Sequence, residues 1–391
     1  METIKNILKG NIRQYGMVIA LVLIVALFQI LTGGILLRPL NITNLILQNS
    51  YILILAIGML LVIVTGNIDL SVGSIAAFVG AIGAILMVNM GCPVWIAVIC
   101  ALLIGALAGA WHGFWIAYMK IPAFIVTLAG MLIFRGLTMV VLNGQTVAPF
   151  PESFQVISTG FIPDLFGSNG LNVTALMIAV ALSVIYILFE LNSRKAKQAY
   201  GFFVPSKGSM IVKFILFTCL FLVFGYIFAS YKGIPTVLIL LATLILAYGY
   251  LSTKTVVGRH IYAYGGNPKA AELSGVKVKR IVFWVYVNMG VLAALAGLVF
   301  AARLNAATPK AGTNFELDAI AACYIGGASS MGGVGTVYGA IIGGLVMGVL
   351  NNGMSILGIG VDYQQAIKGF VLLLAVFFDV YTKSRSSKAT V

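Results

Sequence analysis

Apolar runs of about 17 to 25 residues, separated by short polar stretches, recur along this chain, and ~20 helical residues are what a ~30 Å hydrocarbon core requires. The choice of fold is narrow. Backbone N–H and C=O groups in lipid must be paired within their own segment or around a closed barrel, and the runs lack the ten-residue alternation of barrel strands. The chain is therefore expected to be all-α, a polytopic transmembrane helical bundle. Composition agrees, since 61% of the 391 residues are hydrophobic and 9% are charged, against about 25% charged in a soluble domain.

The runs place spans at 16–32, 45–65, 72–90, 94–118, 122–141, 171–189, 213–230, 235–251, 281–302, 317–331, 334–354 and 363–381. The expected count is about 10–12 because 317–331 is short and holds Gly326, Gly327, Ala328, Ser329 and Ser330. A discontinuous span, helix followed by an unwound glycine-rich turn, accommodates it. Twelve crossings put both termini on one side. With the N-terminus inside, 18 of the 24 Lys and Arg are cytoplasmic and four (Arg38, Lys232, Arg303, Lys310) are outside, as the positive-inside rule requires. Arg135 and Lys368 fall within spans and are expected to snorkel towards an interface. The net charge of +14 thus reads as orientation rather than nucleic-acid binding. No small-x-small cleavage pattern follows the first run, which reads as a retained span rather than a signal peptide. Cys92, Cys100, Cys219 and Cys323 show no CxxC or histidine spacing, and His112 and His260 stand far apart, so neither a disulfide framework nor a metal site is implied.

Two polar segments are long enough to carry function. The outer one, 143–170, is rich in Pro, Ser and Gly, and either receives an extracytoplasmic partner or only connects two spans. The inner one, 252–280, contains Asn267-Pro-Lys-Ala-Ala-Glu-Leu-Ser-Gly275, which reads as a complete short helix with Asn267 as N-cap, Pro268 at its first position and Gly275 closing it. So short a helix needs support from its flanking spans or from a partner. Ala270 and Ala271 are expected to leave its surface low enough for another protein to approach. The bland alternative is an interfacial helix that touches nothing.

Gly66-Asn-Ile-Asp-Leu-Ser-Val-Gly73 lies between two apolar runs. Asp69 is expected to cap a helix starting at Leu70; alternatively Asn67, Asp69 and Ser71 line a polar pathway or gate, because ionisable groups at membrane depth are costly to keep. Gly332 to Ala340 precedes another Gly- and Ala-rich run, an echo that hints at an internal repeat. Gly335, Gly339 and Gly343 recur every four residues and are expected to form one helix face for close packing. A nucleotide-binding reading of these glycines is weak, since no strand precedes them and no GxxxxGK[ST] occurs. Asn49, Asn351 and Asn352 are the remaining pathway candidates, although buried amides commonly tie helices together. Trp111-His-Gly-Phe-Trp115 reads as an aromatic belt.

Asn67 to Gly73, Lys120-Ile-Pro-Ala-Phe-Ile-Val-Thr-Leu-Ala-Gly-Met131, Gly258 to Val276 and Gly332 to Ala340 together resemble the permease subunits of bacterial ATP-binding cassette importers for monosaccharides, the ribose, xylose and galactose group. The likeness runs from about Arg13 to Tyr381 and is nearest to the xylose and multiple-monosaccharide branch. It implies a single permease domain over 1–391, with a branch-specific insertion at 190–233, in the bacterial inner membrane. By resemblance, 252–280 docks on an ATPase, with Gly258, Gly265, Gly266, Asn267, Pro268, Ala270, Ala271, Glu272, Ser274 and Gly275 as coupling residues. It also implies a second copy of the chain, a cytoplasmic ATPase that binds ATP and Mg, and an extracytoplasmic sugar-binding protein, with no cofactor or catalytic residue in this chain. His112 stands where related permeases usually carry Asn. The competing reading is an ion-coupled secondary sugar transporter, against which stands the scarcity of membrane carboxylates; a membrane enzyme has no HExxH or GxSxG to rest on.

Overall fold

The structure, a computed structural model, describes residues 12–167, 170–202, 204 and 206–388, with side chains from 16 to 377 outside the same gaps. Lys5 and Lys9, and the side chains of Arg13, Asp379, Lys383, Arg385 and Lys388, lie outside the described residues. Among the described residues there are fifteen α-helices and no strand, only two isolated bridges. The first eight are α1 (Ile12–Leu31), α2 (Pro39–Val64), α3 (Val72–Ala84, extended by a π-turn Ile85–Asn89), α4 (Val94–Ala117), α5 (Ala123–Val141), α6 (Glu152–Thr159), α7 (Val173–Ala199) and α8 (Lys207–Ala229). Then come α9 (Thr236–Lys254), α10 (Val256–Gly266), α11 (Pro268–Leu273), α12 (Val278–Leu304), α13 (Phe315–Ile325), α14 (Val337–Ile356) and α15 (Val361–Lys388).

Nine of these, α2 to α5, α7 to α9, α12 and α14, are long and apolar enough to cross a membrane. The chain is a multi-pass membrane protein. Of the other expected spans, α1 has a shorter apolar part, Gly16–Leu31, and α15 falls outside the nine. The third, α13, has 11 residues, about 16 Å of helix, too short for the hydrocarbon core. Its end at Ile325 is the discontinuity expected within 317–331.

The chain divides into two compact units, one of residues 37–44 and 160–236 and one of the remainder. In the larger unit α2 is the most enclosed of the nine, with Ile52 to Val64 almost without exposure. Helices α4 and α12 touch through backbone: a β-carbon on Gly109 would strike the Tyr286 carbonyl, and one on Gly290 the Gly105 carbonyl. Lipid supplies no hydrophobic drive between helices, so close approach of small residues supplies the contact. The loop after α5 is tied down, with Val147 bridging Ala307, the Phe150 N–H donating to Asn305 Oδ1 at 2.8 Å, and α6 burying Phe154. In the smaller unit α7 and α8 form a hairpin, Gly225 against Ala179, with Lys213 and Glu190 paired at 3.2 Å. The 190–233 stretch spans the end of α7 and all of α8.

The glycine face differs from expectation. Gly335 is not helical: it lies in the turn before α14 with φ +155. Gly339 and Gly343 do share a face, and it is filled within the chain by α13, against the Gly326 and Ala322 carbonyls. A second helix cannot occupy space so closely used.

Candidate functional site

The inner segment is two helices. Thr255 caps α10 by accepting from the Gly258 N–H at 3.1 Å, and a β-carbon at Gly258 would fall on the Leu251 and Ser252 carbonyls, so glycine is needed for the bend out of α9. Asn267 then leaves helical geometry, and its Oδ1 accepts from the Ala270 N–H at 3.0 Å, with Pro268 at the first position of α11. At the other end Gly275 takes φ +85, the Gly275 N–H donates to Glu272 O and the Val276 N–H to Ala271 O, the paired bonds of a Schellman motif. The doubly capped helix is the one the sequence spacing predicts, and α10 precedes it as an additional helix.

Ala271 requires correction. It is 4% exposed, whereas Leu273 is 91% exposed, with Ala270, Glu272 and Ser274 also outward. A helix of under two turns has one supported side, and Ala271 is on it. Ala271 therefore holds α11 in place, and Leu273 is the apolar group it presents.

The end of α10 abuts two other segments. The Gly333 N–H donates to the Val64 carbonyl at 2.8 Å, and a β-carbon on Gly265 would strike that carbonyl and lie 2.7 Å from the Gly333 nitrogen. The Tyr262 hydroxyl donates to Gly335 O at 2.8 Å. Burial holds that hydroxyl above the usual tyrosine range.

The ends of α2 and α13 share one construction. α2 stops with Gly66 at φ +75, the Gly66 and Asn67 N–H groups donating to Ile63 O and Val62 O; α13 stops with Gly327 at φ +79, the Gly327 and Ala328 N–H groups donating to Tyr324 O and Cys323 O. A polar turn and a Gly-rich helix follow each, α3 and α14. Asp69, however, is not the N-cap. α3 begins at Val72, and buried Asp69 accepts from the Ser71 N–H at 2.8 Å and the Ser71 hydroxyl at 2.5 Å. This is an Asx turn, which competes with helix at the two preceding positions and delays its start. Asn67 also turns locally, its Nδ2 donating to Thr65 Oγ1 at 3.1 Å.

Asp69→Asn retains Oδ1 as acceptor and Asp69→Leu removes it. We expect the Asn variant to keep most transport and the Leu variant to lose it, measured by solute uptake in cells with membrane levels matched. Equal loss in both would mean that the charge, rather than the turn, is needed.

The other pathway candidates do not join Asp69. Asn49 lies 15 residues before Val64 on α2, about 22 Å away, where its Nδ2 donates to Leu45 O at 2.8 Å and it packs on Gly348. Asn352 is buried one turn beyond Gly348, and Asn351 carries a buried side-chain oxygen without a donor among the described residues. Two cations read as snorkelling are held instead. Lys368 on α15 pairs with Asp318 in the first turn of α13 at 3.0 Å, and Arg135 donates to Thr313 Oγ1 at 2.8 Å. Sequence reasoning overlooked Glu316, 7% exposed, whose Oε2 would sit 2.5 Å from a β-carbon on Gly73. Its spacing of two from Asp318 inside an apolar run was the available signal. His112 is fully buried against Gly130 and Phe134, inside the bundle rather than at its aromatic edge.

Residues 41–376 match the family model described as branched-chain amino acid transport system / permease component. The chain is 42% identical over 376 residues to the xylose transport system permease protein of Haemophilus influenzae, covering 96% of this chain and 98% of that one. It is 40% identical over 376 residues to the protein of that name from Escherichia coli K12, covering 96% and 94%. Identity to the ribose import permease protein of Escherichia coli K12 is 38% over 341 residues, 87% of this chain and 85% of that one. No solved structure matches the chain.

Proposed function

The chain belongs to the family of branched-chain amino acid transport system permease components, and from that premise we propose that it is the membrane subunit of an ATP-binding cassette importer for a monosaccharide, a pentose such as xylose first among the candidates. The observation that carries this reading is a match to xylose permeases over nearly the whole of both chains. Ribose permeases match over a shorter length, which favours the xylose branch. An ion-coupled transporter finds no support among these relatives.

In this reading the chain supplies the path and others supply energy and cargo. A cytoplasmic ATPase binds ATP and Mg and receives α11; an extracytoplasmic protein delivers the sugar; two copies of the chain enclose the path, with both termini cytoplasmic. The dimer contact lies away from Gly339 and Gly343, whose face is taken by α13. The exposed, doubly capped α11 supports the docking role, because a partner can push on a rigid helix held at both ends more effectively than on a loose loop. Specificity rests mainly with the delivering protein, since a path must hold its cargo weakly enough to release it.

The decisive experiment is uptake of labelled pentoses and hexoses by the reconstituted three-component complex. Xylose uptake dependent on ATP and abolished by omitting the binding protein is expected; uptake by the chain alone along an ion gradient would sink the proposal. The purified chain alone is expected to show no saturable nucleotide binding, measured by equilibrium dialysis with labelled ATP, because it has no phosphate-cradling loop.

A further inference from the structure

Three segments distant in sequence meet through backbone at one point: the end of α10 at Gly265, the end of α2 at Val64, and the turn Gly332 to Gly335 between α13 and α14. No side chain separates them. The Gly333 N–H donates to the Val64 carbonyl at 2.8 Å, Gly265 rests on that same carbonyl, and Tyr262 one turn earlier reaches Gly335 O at 2.8 Å. Each contacted segment borders the turn that leads into a Gly-rich helix. Val64 leads through the Gly66 stop into the Asp69 turn and α3; Gly333 and Gly335 lead into α14.

Side chains between helices can absorb a small shift by changing rotamer, but directly opposed peptide groups cannot. Packed contacts of this kind move together or change arrangement as a unit. α11 joins α10 through Asn267, the single residue between them, so a push on α11 is passed directly to α10. We infer that this glycine junction is the transmission element that carries movement of the inner segment to the turns before α3 and α14 at once, with Gly265 and Tyr262 as positioning residues. The inference rests on the proposed ATP-driven function and adds where the force enters the bundle. A merely structural knot would instead affect folding and leave coupling intact in whatever protein folds.

The test uses the full complex of permease, ATPase and sugar-binding protein in proteoliposomes, with Gly265→Ala and Tyr262→Phe. Alanine suits a helix better than glycine, so any loss in Gly265→Ala comes from the contact and not from helix propensity. In Tyr262→Phe, ATPase co-purification and basal hydrolysis should match the unmodified complex; Gly265→Ala, whose glycine is itself among the coupling residues, is compared per ATPase bound. Sugar-stimulated hydrolysis and uptake should fall about tenfold in Gly265→Ala and about threefold in Tyr262→Phe, the scale of ordinary coupling energies. Normal stimulation and uptake in an assembled Gly265→Ala complex overturns the inference. Should that variant fail to insert, Tyr262→Phe decides: a selective loss of stimulation supports the junction, and unchanged transport overturns it. Absence of sugar-stimulated hydrolysis in the unmodified complex would instead overturn the proposed function, and the inference with it.

Discussion

On the proposed docking of an ATPase at α11, replacing Leu273 with arginine should abolish that association almost entirely. Leu273 is 91% exposed on a helix whose caps, Asn267 and Gly275, do not depend on it. Arginine is a good helix former, so α11 should persist. What changes is the docked state: burying a leucine contributes roughly 2 kcal/mol, and lodging an unpaired charge in the same pocket costs more. Together these predict a loss of association of about 100-fold or greater, since each 1.4 kcal/mol is tenfold. Co-purification and titration of the ATPase against permease in nanodiscs would measure it, with Leu273→Ala intermediate. Ala271→Arg should fail differently, by disturbing α11 itself, visible as faster hydrogen exchange over 267–276. Full association of the Leu273→Arg permease would show that the partner grips another face.

The second large effect concerns the pair that joins α15 to α13. Lys368 and Asp318 lie 3.0 Å apart with side chains 21% and 7% exposed, so Lys368→Met leaves a buried carboxylate without its partner. Breaking such a pair from one side costs about 3 kcal/mol, more than the pair contributes over an apolar replacement. We expect Lys368→Met to lower the thermal midpoint of the detergent-solubilised chain by several degrees, and Lys368→Met/Asp318→Asn to recover much of the loss. The cycle is diagnostic because the two residues are in contact. If the double variant is as unstable as the sum of the single ones, the ion pair does not hold these helices together.

How far each feature could be read in advance follows from the distance over which its cause acts. Asn267, Pro268 and Gly275 delimited α11 because capping is an affair of neighbouring backbone groups. The break at Ile325 was legible in Gly326 to Ser330 for the same reason. Asp69 shows the limit of that legibility: capping and the Asx turn use the same carboxylate and differ only in where the helix begins, which propensity leaves nearly balanced. Likewise α6 and α10 were passed over because short helices with weak propensity draw their stability from what they pack on.

By itself the sequence determined that this chain is a helical membrane protein, that nine of its segments are long and apolar enough to cross lipid, where several helices stop and which family it belongs to. Those properties are written locally, since the bilayer makes each span satisfy its own backbone and similarity is scored residue by residue. Only the tertiary structure decided which side of α11 faces out, that Gly339 and Gly343 are filled from within by α13, that Lys368 finds Asp318 50 positions away, and that Gly265 rests on Val64. Each is a question of which surfaces meet. A lysine in an apolar run reads the same whether it snorkels or pairs, and a glycine reads the same whether the neighbouring backbone belongs to this chain or to another.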